Sequence, residues 1–100
     1  MGEIDIGDYI VERDDNKNEI NFKKHGIRFN VAARVFLDEN RIEDYDEFNS
    51  VDEERYKIIG EVEKILVVIY TERGDKNRII SARFADKKER SEYYEQFSFV

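Results

Sequence analysis

The sequence predicts an α+β fold, a layered domain with an antiparallel sheet, in the order strand, helix, helix, strands, helix. Three observations predict it. The run Ile65 to Arg83, ILVVIYTERGDKNRIISAR, is two β-branched strands around a short charged turn. Phe29, Ala32, Ala33 and Phe36 recur at i, i+3, i+4 and i+7, the apolar stripe of a helix. Asp86 with Glu89 three residues later resembles a capping box ahead of Tyr93, Tyr94 and Phe97, which are expected to share one face of a last helix.

Taken in order, Asp8 to Arg13 reads as a short first strand at a sheet edge. Asp14 or Asp15 caps a helix running to about Lys24, because a carboxylate accepts the orphan amide protons of a first turn. Gly26 supplies the left-handed residue that ends it. The Phe29–Phe36 stripe forms the second helix. Arg41 to Asp46 is a weakly patterned strand, and Phe48 to Asp52 has loop composition. Arg55 to Glu61 is a strand, with a turn at Glu63-Lys64. Ile65 to Glu72 is nearly all apolar, so it is placed centrally, where both faces are covered. Arg73 to Asn77 makes the next turn, with Gly74 free to take positive φ, and Arg78 to Phe84 follows as a strand. No repeat, low-complexity tract or linker interrupts the chain, which is read as a single domain over residues 1–100.

Composition narrows the function classes. The chain has no cysteine and one histidine, which argues against disulfides, thiolate metal sites and zinc, and no cofactor is expected. No basic segment followed by a long apolar run opens the chain, and no stretch is long enough to span a bilayer, so a soluble cytoplasmic protein is expected. Net charge is −7, which opposes simple nucleic-acid binding, but it is unevenly spread. Asp38 to Glu54 holds nine acids and one base, whereas Arg73 to Arg90 holds seven bases and three acids.

The residues that carry chemistry are basic. Tyr70, Arg73, Arg78 and Arg83 are threaded through apolar strands, and arginines inside a sheet are costly to hold unless they meet anions. Lys23-Lys24-His25-Gly26 closes the first helix, and His25 is the one side chain whose ordinary pKa lies near neutrality. Each has a plain alternative. His25 can simply cap helix carbonyls, Lys23 and Lys24 can be a solvated helix end, and Arg73 and Arg78 can pair with Glu72 and Asp75. In a regular strand Arg83 shares a face with Ile79 and Ser81, and Arg78 falls on the other with Ile80 and Ala82. Either one of the two arginines is structural or a bulge intervenes.

In these residues the chain resembles the BrnT family of toxins from bacterial type II toxin–antitoxin pairs. The resemblance runs from about Asp14 to Tyr94. Its anchors are Asp14, Lys17, Asn21, Lys24-His25-Gly26, Phe29, Ala32-Ala33, Val35-Phe36, Glu54-Arg55 and Ile59-Gly60, then Val67 to Thr71 with Arg73, and Arg78 to Arg83. The chain departs from the family pattern at Arg13, where Trp is usual, and at Asn49-Ser50, where His-Ser is frequent. It departs again at Arg28-Phe29-Asn30-Val31, where Ser-Phe-Glu-Glu usually opens the second helix and supplies its N-cap. The resemblance implies a RelE-like fold, with two N-terminal helices and a C-terminal helix on an antiparallel sheet. It also implies metal-free cleavage of RNA to arrest growth, and neutralisation by a DNA-binding antitoxin called BrnA. The expected complex holds two toxins and two antitoxins, touching DNA only through the antitoxin and no membrane.

Cleavage of RNA without metal uses the 2′-hydroxyl as nucleophile and needs a base, cations for the phosphate and an acid for the leaving oxygen. Arg83 and Arg55 are assigned to clamp the phosphate, since a guanidinium bonds two oxygens at once. Arg73 and Arg78 assist or track the RNA backbone. Tyr70 stacks on a base or moves a proton. His25 is the acid–base candidate, with Lys24 able to replace it if neighbouring cations lower its pKa. Two other readings stay open: an inactive homologue that only binds antitoxin, its acidic segment meeting a basic partner, and an oligomerisation domain using the Tyr93-Tyr94-Phe97 face.

Overall fold

The computed structural model describes residues 1–98 and contains one six-stranded sheet. Its strands are β1 (Gly2–Ile6), β2 (Tyr9–Arg13), β3 (Ile42–Tyr45), β4 (Tyr56–Val62), β5 (Lys64–Arg73) and β6 (Lys76–Phe84), ordered β1-β2-β6-β5-β4-β3. The helices are α1 (Asp15–His25), α2 (Phe29–Ala32), which runs on into a 3-10 turn at Ala33–Leu37, and α3 (Lys87–Glu95). The α+β class is as expected. The sheet, however, is mixed: β2 runs parallel to β6 at Val11↔Asn77 and Glu12↔Arg78, and the other pairs are antiparallel. A second correction concerns β1, which sequence reading missed. It pairs along all of β2, so β2 is an interior strand and not an edge.

Local signals built most elements. The Asp14 side chain accepts the Lys17 amide at 3.0 Å and starts α1, and Gly26 at φ 74° ends it. The missing N-cap of α2 is replaced from a distance: Asn18 Oδ1 on α1 accepts the Phe29 amide at 2.8 Å. Arg13 bonds Asp15 and Asn30, and its guanidinium packs where a side chain on Gly2 would stand, so it ties β1, α1 and α2 together. The β5–β6 turn is tighter than expected: Arg73 pairs with Lys76, leaving Gly74-Asp75 as a two-residue loop with Gly74 at φ 62°.

The two sheet faces are covered unequally. Phe29, Ala32, Ala33, Val35 and Phe36 bury the first face, against Val11, Ile58, Leu66, Val68, Ile79 and Ala82. The second face has a smaller core, in which Tyr93 of α3 meets Ile59, Ile65, Val67 and Ala85. Tyr93 is buried, and the rings of Tyr94 and Phe97 pack edge-on against it at 5.5 and 5.8 Å while staying partly exposed. Among the described residues no helix is long and apolar enough to cross a membrane.

Candidate functional site: a cationic sheet face

The decisive local feature is a bulge in β6. Ile69 pairs with Ser81 and Tyr70 with Ile79, so Ile80 has no partner on β5. An extra residue reverses the side-chain alternation beyond it. Ile79 and Ala82, three apart, both enter the first core. Arg78 and Arg83, five apart, therefore both point to the second face. Cross-strand pairs confirm the side: Arg83 lies opposite Val67 and Arg78 opposite Thr71, both on the Ile65–Val67–Ile69 side of β5.

The same alternation brings further cations to this face. Lys57 lies opposite Ile69, and Arg55 lies two residues before Lys57. Arg73 follows Thr71 by two. Arg55, Lys57, Arg73, Arg78 and Arg83 thus share one surface, which answers the question of which arginine is structural. The sites opposite Arg83 and Arg78 are four residues apart on β5, about 13 Å at the usual strand rise.

At one end, Glu89 organises the cations. Its two carboxylate oxygens accept from Arg83 Nη1 and Nη2 at 2.7 and 2.9 Å, and Lys57 Nζ lies 2.9 Å from Oε2. Oε1 also accepts the Asp86 amide at 2.9 Å, completing the capping box of α3. The Glu89 side chain is 8% exposed, that of Arg83 41%. The Arg83 hydrogen bonds, helped by the Asp86 amide and Lys57, hold the Glu89 carboxyl far below its ordinary 4.5, although burial opposes this. Hydrogen bonding to Glu89 likewise raises Arg83. Arg83 is consequently a fixed, charged fork with an exposed side.

At the other end the cations meet looser acids. Glu53 bridges Arg73 at 3.2 Å and Arg55 at 3.7 Å, and Arg78 lies 3.8 Å from Glu12. The buried Nε atoms of Arg55 and Arg78 have no hydrogen-bond partner among the described residues. Arg73 and Arg78 do pair with acids, but not with the expected Glu72 and Asp75.

The remaining sequence-derived residues stand elsewhere. Tyr70 is 7% exposed in the first core, on the opposite face from the arginines. Its hydroxyl donates to Glu43 at 3.0 Å, its ring stacks on Tyr56, and burial with the Glu43 charge raises its pKa strongly. His25 ends α1 half-buried, and Lys24 is exposed. Among the described residues no hydrogen bond or ion pair joins either to the arginine face. His25 does lie one turn after Asn21, on the same side of the helix. The buried Asn21 amide exchanges two hydrogen bonds with the Ala82 backbone, filling the β6 edge beyond the end of β2. This docks α1 against the end of β6 that carries Arg83. Asn49, at the position where the family often has His, braces its own loop through Asp46.

Sequence reading missed Lys57 and Glu89 as site residues. Lys57 alternates with Ile59, a weak signal. The Asp86–Glu89 spacing was visible, but only as a helix cap; nothing local says that the carboxylate also faces Arg83 across the sheet.

The sheet thus has one apolar face and one face of arginines braced by carboxylates, the class of a small α+β protein with a guanidinium-rich surface. The model of the BrnT toxin family, described as the ribonuclease toxin of a type II toxin–antitoxin system, matches residues 14–89, and the chain belongs to this family. The fold is also similar to the crystal structure of the Brucella abortus ribonuclease toxin BrnT, with a TM-score of 0.59 and 26% identity, covering 77% of this chain and 96% of that one. No curated protein sequence matches the chain. Membership makes it a ribonuclease toxin whose partner is an antitoxin protein.

Proposed function

We propose that the chain cleaves RNA on its cationic sheet face, without metal, by in-line attack of a 2′-hydroxyl on the adjacent phosphorus. The supporting observation is the bulge at Ile80, which sets Arg78 and Arg83 on one surface with Arg55, Lys57 and Arg73. Arg83, oriented by Glu89, clamps the scissile phosphate with Lys57, and both stabilise the charge that builds on its oxygens. Arg55, Arg73 and Arg78 track the neighbouring backbone, and the unpartnered Nε atoms of Arg55 and Arg78 gain acceptors when phosphate displaces Glu53 from Arg55 and Glu12 from Arg78. His25, at the end of the helix docked on β6, takes the 2′-hydroxyl proton, with Lys24 beside it. A proton must also reach the departing 5′-oxygen, for which the Lys57 ammonium is the nearest donor to Arg83. Attack closes a 2′,3′-cyclic phosphate and frees a 5′-hydroxyl. Tyr70, buried on the far face, acts in this reading through the core.

In the same reading the sheet and helices form a RelE-like toxin domain over residues 1–100, working in the bacterial cytoplasm. The antitoxin is of the BrnA type, in a complex of two copies of each chain. A basic antitoxin segment docks on the acidic stretch Asp38 to Glu54, where Phe48 and Val51 are 90% and 83% exposed.

The test is induction of wild type, Arg83→Ala and His25→Ala in bacteria without antitoxin, following growth and RNA integrity beside a folding check. Growth arrest with RNA loss that vanishes in folded Arg83→Ala supports the reading, and the His25 variant assigns or releases the proton-transfer role. Normal growth and intact RNA with folded wild type sink it and leave an antitoxin-binding module.

A further inference from the structure

Away from the arginine face, exposed aromatic rings gather at one place. Two adjoining hollows of about 260 and 380 Å³ lie beyond the end of β6 and share Glu63, Lys64 and Phe84. One continues past Phe22 and Arg28 at the α1–α2 corner, the other past Arg90 and Tyr94 of α3. Phe22, Phe84 and Tyr94 are 39%, 48% and 52% exposed.

Cations accompany the rings. The Arg28 guanidinium, paired with Glu19 at 2.7 Å, lies 3.9 Å from the Phe22 centroid, and Lys64 Nζ lies 5.3 Å from that of Phe84. Arg90 donates to the Ala85 carbonyl at 2.8 Å. Among the described residues neither Lys64 nor Arg90 makes an ion pair, and Glu63 is the one acid lining the two hollows. The local sign is therefore opposite to that of the chain, whose net charge is −7. Rings interleaved with unpaired cations suit single-stranded nucleic acid, since every base has a face to stack and every linkage a phosphate. The Phe84 side chain, opposite Leu66, turns to the first face, but the second hollow passes Ile65, Ala85 and Tyr94 on the α3 side, the face that carries Arg83 one residue earlier in β6.

We propose that this groove is a base-stacking subsite for single-stranded RNA next to the scissile phosphate. Phe84 is its central platform, Phe22 and Tyr94 flank it, and Lys64 and Arg90 meet the phosphates. The proposal rests on the ribonuclease reading and deepens it. A purely aliphatic protein helix would use the apolar walls but would leave the cations and ring faces unused.

The experiment is an anisotropy titration of a short, labelled, single-stranded 2′-O-methyl RNA, which lacks the nucleophile. It compares wild type, Phe84→Tyr, Phe84→Leu and Lys64→Gln, each checked by melting. Phe84→Tyr keeps the stack and binds as wild type does. Phe84→Leu keeps an apolar side chain but loses the stack, and binds about tenfold more weakly. Lys64→Gln lowers the slope of log affinity against log salt by about 0.7, one phosphate contact on a single strand. If wild type cleaves and binds RNA but Phe84→Leu binds equally well, the subsite is overturned and the ribonuclease reading stands. Loss of antitoxin affinity in that same variant would then give the groove to the protein partner. If wild type neither binds this oligonucleotide nor cleaves RNA, both readings fall.

Discussion

The two faces of the sheet solve opposite problems. The face under α1 and α2 is sealed by apolar contacts around Phe29, Val35, Phe36, Ile58 and Val68, all at most 2% exposed. Even its tyrosines are absorbed: rings run Tyr9, Phe36, Tyr70, Tyr56 at centroid spacings of 5.2–5.5 Å, and the Tyr70 hydroxyl is held by Glu43. The face under α3 has a small apolar patch and then cations, each braced by a carboxylate: Glu89, Glu53 or Glu12. The first face gains from removing water. The second keeps charges partly wet and oriented, which preserves their capacity for an incoming anion. Apolar burial and ordered charge are thus divided across one sheet only a residue thick.

Substitutions should separate the two faces. The largest effect is expected from Phe29→Ala, which leaves a cavity in the sealed core and costs about 3–5 kcal/mol. Denaturant unfolding should show this, while RNA cleavage by the folded fraction, per molecule, stays near wild type. A comparable fall in that rate would mean that the faces are not independent.

Glu89→Gln should act on both properties, with a smaller stability loss of about 2 kcal/mol, because Arg83 and Lys57 are partly exposed and can be hydrated. Glutamine can still cap α3. Glu89 has a depressed folded-state pKa, so its contribution is complete above the ordinary value of 4.5 and is lost as pH falls below it. Wild type should therefore lose stability on acidification, and Glu89→Gln should show a flatter acid limb. Superimposable pH profiles would contradict the assigned charge. Cleavage should fall through kcat, because Arg83 loses its bidentate anchor.

The smallest effect is expected from Tyr70→Phe. It deletes one hydrogen bond to Glu43 and costs about 1 kcal/mol, with RNA cleavage unchanged. A large loss of cleavage without a loss of stability would place Tyr70 in the chemistry despite its position on the sealed face.

Much of the fold was legible because its signals are local. Asp14 and Gly26 bracket α1, the Asp86–Glu89 pair starts α3, and the Ile65–Tyr70 run marks a central strand. β1 escaped because its half-polar alternation, GEIDI, reads as a strand only once β2 lies beside it. The parallel β2–β6 pair escaped because it joins residues over sixty positions apart. Glu12 meeting Arg78 could not be read from either segment.

The candidate site was half legible for the same reason. Arg55, Arg73, Arg78 and Arg83 stood out as cations among apolar strand residues, and the family resemblance came from such short runs. Lys57 and Glu89 did not stand out, and nothing local showed that Tyr70 takes the other face, its hydroxyl held by Glu43. By itself, then, the sequence determined which segments other than β1 are helix and strand, where α1 and α3 begin, the family, and the set of basic residues available. These depend on contacts within a few residues. Only the tertiary structure decided which face each residue takes. One unpaired residue, Ile80, reverses the alternation between Arg78 and Arg83, and that bulge exists only through pairing with β5.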